Sequence, residues 1–221
     1  MPVPEITRII AVRNGETAWN VDTRLQGQLD VPLNERGQRQ ARQAAQALLR
    51  EAPDVVYSSD LSRALATAEA AAALLGRPVH TDTGLRERHF GQWQGQTYAE
   101  VEARYPEASA RWRRREPDFG PEDGETLAGF YARVTATATR LAGAHPGQTV
   151  LMVAHGGVLD CLYRAACGLA LDAPRTWELP NTGINRLLFT GEGFTLVGWA
   201  DIQHLESDAL DESNDRVGHA A

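Results

Sequence analysis

Residues 7–20 read TRIIAVRNGETAWN, and the fold follows from where this stretch changes character. The opening TRIIAV (7–12) is short, apolar and β-branched, the pattern of a buried strand. Arg13-Asn14-Gly15 then ends it, with the glycine as punctuation. The same grammar recurs twice. DVVY (54–57) runs into Ser58-Ser59-Asp60, and TVLMVA (149–154), the most hydrophobic strand candidate, runs into His155-Gly156-Gly157. Helical patterns fill the intervals. One spans 34–50, with Asn34 as N-cap and an Ala/Leu face from Ala41 to Leu49. A second takes Ser58-Ser59-Asp60 as caps and stops after Leu75 at Gly76-Arg77-Pro78. A short strand is expected at 79–81, a loop rich in glycine and charge at 84–95, and two helices within 97–115 that break near Pro106. After a loop at 117–124 comes a long helix (125–144) carrying Leu127, Phe130, Tyr131, Val134 and Leu141, and later a helix over 158–167. Strands at 185–190 and 194–199 flank Gly191-Glu192-Gly193 as a hairpin. Strands alternating with helices predict an α/β fold: a three-layer α/β/α sandwich around a mostly parallel sheet, made mixed by the hairpin. There is no repeat and no linker, so 1–205 reads as a single domain and 206–221 as a flexible acidic tail.

Composition narrows the function classes. At 43% hydrophobic residues the chain can build a substantial core. A net charge of -7 argues against general affinity for nucleic acid, which needs a basic face. It does not argue against phosphate binding, because a few arginines in one pocket decide that locally. Cys161 and Cys167 are six apart in a helical pattern, which fits neither a metal knuckle nor a redox pair; both read as small buried side chains. The first six residues show no signal-peptide pattern, and no apolar run approaches the ~20 residues of a membrane span, so the cytoplasm is the expected location.

Open α/β sheets bind ligands beyond the carboxyl ends of their strands. That rule selects Arg13-Asn14-Gly15, the segment from Ser58 to Arg63, and His155-Gly156. Two of these feed helix N-termini, where free N–H groups and the helix dipole favour an anion. Arg13 and Arg63 can each fork onto phosphate oxygens. Arg63 falls in the first turn of its helix, where its charge opposes the dipole; such a charge suggests binding rather than structure. His155 can donate a hydrogen bond or accept a proton near neutral pH, and Glu87, in the glycine-rich loop, can act as a general acid. Singly, each has a plain structural reading: a solvated arginine, a core histidine, a glutamate paired with Arg86 or Arg88. Their coincidence at the strand ends favours a site.

Together these segments resemble the histidine phosphatase superfamily, which includes cofactor-dependent phosphoglycerate mutases, fructose-2,6-bisphosphatase and alpha-ribazole phosphatase. The family opens with a strand, then Arg-His-Gly-Glu-Thr and Trp-Asn; here the text is Arg13-Asn14-Gly15-Glu16-Thr17-Ala18-Trp19-Asn20. Leu25-Gln26-Gly27 through Asp30, Pro32-Leu33, Gly37 and Gln40-Ala41 form the next block, and Tyr57-Ser58-Ser59-Asp60-Leu61-Ser62-Arg63-Ala64 with Thr67-Ala68 the second-arginine block. Leu85, Glu87, Gly91, Trp93 and Gly95 match the acid-bearing loop; Gly124-Glu125-Thr126 and Val153-Ala154-His155-Gly156-Gly157 complete the series. The resemblance implies a phosphoglycerate mutase-like fold. It implies that Arg13, Arg63 and His155 bind the transferred phosphoryl group, with Asn20 and the Gly156 backbone beside it. Glu87 would protonate the leaving oxygen and later activate water, and Gln26 and Gly27 would face the substrate. It implies a small phosphorylated metabolite as partner, and no metal or cofactor.

One position departs from the pattern: Asn14 stands where the family carries its nucleophilic histidine. An imidazole lone pair attacks phosphorus to give a phosphohistidine; the lone pair of a carboxamide nitrogen is delocalised into its carbonyl and does not. Asn14 can still hydrogen-bond phosphate. Either an engineered substitution or a natural pseudophosphatase that binds a phosphorylated metabolite or protein would explain it, and the otherwise complete apparatus favours the first. Family mutases carry a sizeable insertion between the acid loop and the second histidine. The interval from Glu87 to His155 is short, which points to a phosphatase of phosphate monoesters rather than a phosphoglycerate mutase. The basic run Arg111, Arg113, Arg114 and Arg115 could meet a second anionic group, although a solvated helix face is the plainer reading. An exposed apolar hairpin could pair two copies in a homodimer.

Overall fold

The computed structural model describes residues 5–206. The expected acidic tail lies, from residue 207 onward, outside the described residues. The strands are β1 (Thr7–Arg13), β2 (Val55–Ser58), β3 (Val79–Thr81), β4 (Thr149–Ala154), β5 (Ile184–Thr190) and β6 (Gly193–Asp201). The helices are α1 (Ala18–Val21), α2 (Glu35–Leu48), α3 (Ser62–Leu75), α4 (Tyr98–Arg104), α5 (Pro106–Arg113), α6 (Leu127–Gly143) and α7 (Gly156–Cys167). All six strands form one sheet in the order β3-β2-β4-β1-β5-β6. β1 to β4 run parallel, and β5 returns antiparallel to β1 and pairs with β6 as a hairpin. The fold is therefore the expected mixed α/β sheet.

Side-chain alternation along the central strands builds the three layers. Ile9 and Ala11 of β1, with Val150, Met152 and Ala154 of β4, pack against Phe130, Val134 and Ala138 of α6 and Val158, Leu159 and Leu162 of α7. Ile10 and Val12, with Leu151 and Val153, face the other way onto Ala45 and Leu48 of α2 and Ala64, Ala68 and Ala71 of α3. β4 is buried at every position, which is why it reads as a continuous apolar run. Each fully buried Ile or Leu contributes about 1.5–3 kcal/mol. A third, smaller cluster of Leu25, Trp93, Val101 and Phe119 joins α4 and α5 to the loop after β3 and stands outside the sheet layers.

This topology places the site. β1 and β4 are neighbours, yet the chain leaves β1 toward α2 on one face and leaves β4 into α7 on the other. A crevice opens where neighbouring strands send their connections to opposite sides, and Arg13-Asn14 and His155 stand at its edge. The loop after β1 approaches the first turn of α2 so closely that a Cβ on Gly15 would fall 2.5 Å from the Gly37 carbonyl oxygen. Only paired glycines allow that approach.

Several expectations need correction. Ser58, Ser59 and Asp60 do not cap α3. Its N-cap is Leu61, which offers no side-chain bond, and the Ser62 N–H donates instead to Asp30 Oδ1 at 2.7 Å. Asp60 is taken by Arg86, which lowers the pKa of its carboxyl, chiefly through their hydrogen bond. The long helix begins at Leu127, after Thr126 accepts from the Gly129 N–H; Glu125 lies outside it and binds Arg133 and the His89 N–H. Cys167 is exposed, and only Cys161 is buried. The one-turn helix α1, closed by a Thr17/Asn20 capping box, had no signature in the hydrophobic pattern. Among the described residues no helix is long and apolar enough to cross a membrane.

Candidate active site

Asn14, Arg63 and His155 are brought together and buried, each at most 3% exposed. Asn14 follows β1, and its N–H donates to the carbonyl of Ala154 in β4 at 2.9 Å, which locks the two strand ends together. Its side-chain Nδ2 donates to the Gly15 carbonyl at 2.8 Å, which fixes the carboxamide orientation and leaves Oδ1 facing His155 Nδ1 at 3.2 Å. An acceptor at Oδ1 requires the proton on His155 Nδ1. His155 Nε2, 2.8 Å from Ser59 Oγ, is then the acceptor of the serine O–H. The tautomer is thus assigned from its hydrogen-bond partners. Burial drives the His155 pKa well below its ordinary value, and the positive charges of Arg63, Arg13 and Arg133 act in the same direction. The imidazole is neutral at pH 7.

Arg13 ends β1 and Arg63 opens α3 after β2, the two strands that flank β4 in the sheet. Burial lowers the pKa of both, opposed in each case by the charge of Glu87; a guanidinium stays protonated through such a shift. Arg13 Nη1 donates to the Leu179 carbonyl, while its buried Nε has no hydrogen-bond partner. Arg63 donates to the carbonyls of Leu29 and Gly27 at 2.9 and 2.7 Å. That pair of bonds pins the loop carrying Gln26 and Gly27 to the start of α3, so Arg63 has a structural role that its place in the helix had not suggested.

Glu87 enters from the loop after β3. One carboxylate oxygen accepts the Arg88 N–H at 2.9 Å, and the other accepts the N–H of Gly157, in the first turn of α7, at 3.0 Å. It does not pair with the Arg86 side chain, which is held by Asp60, or with the Arg88 side chain, which is held by the Phe119 and Glu125 carbonyls. A Cβ at position 157 would lie 2.2 Å from Glu87 Oε1, so glycine there is what admits the carboxylate. Asn20, Gln26, Gly27 and Gly156 all line the same cavity, of about 1110 Å³. Asn20 Oδ1 is occupied by the Thr17 N–H of its capping box, and Gln26 Oε1 is buried without a partner. The basic run is split: Arg111 and Arg114 bind Glu116, Arg113 binds Glu102, and Arg115 turns inward onto Asp160.

Other residues that build the site are not marked individually by the sequence pattern. Ser59 is buried against His155. Asn181 Nδ2 donates to the Asn14 carbonyl at 2.8 Å, and the Thr182 N–H donates to the Arg13 carbonyl at 3.0 Å. Thr182 is fully buried at φ 54, a left-handed conformation costly for a β-branched residue. The Asn-Thr-Gly cluster just ahead of β5, the strand beside β1, was the signal available. Trp112 and Trp177 line the cavity wall, while Trp199 donates to the Glu178 carbonyl at 2.9 Å.

Fold and site together define an α/β protein with a cationic crevice at its strand ends. The family model of the histidine phosphatase superfamily (branch 1) matches residues 9–202. Phosphoglycerate mutase-like protein 4 of Arabidopsis thaliana is 39% identical over 213 residues, spanning 95% of this chain and 91% of that relative. The glucosyl-3-phosphoglycerate phosphatase of Mycolicibacterium vanbaalenii is 38% identical over 174 residues, 76% of this chain and 77% of its own. The solved structure of Bacillus stearothermophilus YhfR superposes with a TM-score of 0.85 at 31% identity, covering 90% of this chain and 100% of that one. The chain belongs to the histidine phosphatase superfamily.

Proposed function

We propose that this protein is built as a metal-independent phosphomonoesterase of the histidine phosphatase type, with Asn14 occupying the place of the attacking histidine. The observation that carries the proposal is the Asn14 carboxamide, which donates to the Gly15 carbonyl and faces His155 in a crevice also lined by buried Arg63 and half-buried Arg13. A histidine at this position could make the same bond through Nδ1–H. Its Nε2 lone pair would then be free to point into the cavity.

The chemistry follows from the placement. Arg13, Arg63 and the N-terminus of α7 offset the charge of the phosphoryl group, and neutral His155, its Nδ1–H directed toward position 14, helps to orient it. With histidine in place of Asn14, Nε2 forms a bond to phosphorus as the bond to the leaving oxygen breaks, and Glu87 supplies the proton that oxygen needs. Water then attacks phosphorus, Glu87 takes the proton from it, and the P–N bond breaks to release phosphate and the imidazole. With Asn14 itself the first bond cannot form, and the site binds without turning over. His155 does not take over the attack, because its Nε2 is engaged by Ser59. The completeness of the surrounding groups supports a single substitution in a working site over a natural binding protein. Asparagine has replaced one group, while the rest still converge. The short interval between Glu87 and His155 and the large cavity mouth, where Tyr98 is 47% exposed, support hydrolysis over mutase chemistry, which must exclude water.

The test is direct chemical capture. The Asn14→His variant, quenched during turnover of a phosphate ester, should carry an acid-labile, base-stable phosphoryl group on the introduced imidazole. The Asn14 protein should carry none. An unlabelled variant that still binds phosphate would refute the assignment.

A further inference from the structure

The His155 imidazole is held at both edges, with Nδ1 3.2 Å from Asn14 Oδ1 and Nε2 2.8 Å from Ser59 Oγ. The order serine, histidine, asparagine is that of a nucleophilic triad, but Ser59 cannot attack a substrate. It is fully buried and is not among the residues that line the cavity, whereas Asn14 and His155 are. Its hydroxyl can act only through the imidazole.

Ser59 is built for that contact. Its N–H donates to the Val153 carbonyl at 3.0 Å, two residues ahead of His155. Its own carbonyl accepts the Ser58 hydroxyl at 2.8 Å, and its Oγ accepts the Leu61 N–H at 3.3 Å. The hydroxyl has one proton to give, and the acceptor it faces is His155 Nε2. A donor aimed at Nε2 places the imidazole proton on Nδ1. Free histidine favours the opposite form, with its proton on Nε2, so this tautomer is imposed by the surroundings. Two groups impose it. Asn14 Oδ1 is an acceptor because Nδ2 is committed to the Gly15 carbonyl, and it demands Nδ1–H at one edge while Ser59 demands it from the other. A histidine at position 14 would remove the first of these. Its own Nδ1–H would go to the Gly15 carbonyl, in a residue fixed by the Gly15 N–H bond to Thr67 Oγ1 at 3.1 Å. No carboxamide oxygen would then face His155, and Ser59 would hold the tautomer alone.

We propose that Ser59 is a positioning residue whose hydroxyl fixes His155 as the Nδ1–H tautomer, so that the imidazole turns a donor toward position 14 and the phosphoryl oxygens bound beside it. With the proton on Nε2 instead, a lone pair would face the anion and repel it. The use of that donor on a phosphoryl group rests on the phosphomonoesterase reading; the tautomer itself does not.

The test places Ser59→Ala in the Asn14 protein and in its Asn14→His variant. Nitrogen NMR on protein labelled at histidine reads the tautomer, with the His155 signals assigned by their loss in His155→Gln. Calorimetry with inorganic phosphate reads its consequence. In the Asn14→His background, Ser59→Ala should move His155 to the Nε2–H form and weaken phosphate binding about tenfold or more, the worth of one hydrogen bond to a charged group. In the Asn14 background it should leave the proton on Nδ1, where Asn14 Oδ1 still accepts it, and cost clearly less affinity. Ser59→Cys keeps a weak donor in a similar shape; it should fall between serine and alanine, and it carries the same comparison if the alanine variant fails to fold. An Nε2–H tautomer in the Asn14 protein, an unshifted tautomer after Ser59→Ala in the Asn14→His background, or equal losses of phosphate affinity in both backgrounds would each overturn the role of Ser59. If neither the Asn14 protein nor its Asn14→His variant binds phosphate, the phosphomonoesterase reading falls, and the tautomer shift alone decides whether Ser59 holds His155.

Discussion

At the scale of single residues, the site depends on small placements with large consequences. Glu87 is held by two backbone N–H groups and not by a neighbouring cation, so its carboxyl remains available for proton transfer. In an Asn14→His background, Glu87→Gln should lower kcat about 10²–10⁴-fold, the usual worth of a general acid. Phosphate affinity should change little; an equal loss of phosphate binding would make Glu87 a ligand instead. Gly157→Ala tests the same placement from the other side, because its methyl would occupy the space of Glu87 Oε1. That variant should lose activity to a similar extent while unfolding at nearly the parent urea concentration. Full activity would show that the contact yields freely.

At the scale of elements, α7 links chemistry to stability. Its first turn holds Glu87, and Asp160, one turn further along, accepts from Arg115 and from fully buried Arg164. Arg164 in turn ties down the segment between α7 and β5 by donating to the Ala170 and Ala173 carbonyls. Removing one partner of a buried pair leaves the other charge uncompensated. Asp160→Ala should therefore cost roughly 3–5 kcal/mol in urea unfolding, and a loss below ~1 kcal/mol, the range of an exposed pair, would contradict the buried network. The strands that define the site were legible in the sequence because their apolar runs stop at polar, glycine-bearing corners. Arg13, Asn14, Arg63 and His155 could be placed for that reason. The network behind them was not legible. Asn181 meets Asn14 across 167 residues, and Ser59 meets His155 across 96, and no local pattern encodes such pairings. Ser59 was read as a helix cap because serine favours that position; the demand of a buried imidazole for a partner prevailed.

At the scale of the whole molecule, the buried neutral histidine couples folding to pH. The His155 pKa is lowered in the folded state, so the unfolded chain binds a proton that the native one refuses as pH falls below the ordinary value of 6.5. With more protons on the unfolded state, stability rises with pH in that window and falls on acidification, by about 1.4 kcal/mol per pH unit for one such group. His204, also lowered by burial, contributes in the same direction. Urea midpoints should decline from pH 7 to pH 5.5, and His155→Gln should reduce the slope; an unchanged slope would mean that His155 titrates alike in both states. Fold, family and charge distribution all support the proposed reading of a phosphate-binding crevice in which position 14 decides turnover. The measurement that bears on this most directly is turnover of phosphate esters, without added metal, by the protein and its Asn14→His variant in parallel. The account predicts hydrolysis by the variant alone. Hydrolysis by the Asn14 protein at a comparable rate, or by neither protein although both bind phosphate, would contradict it.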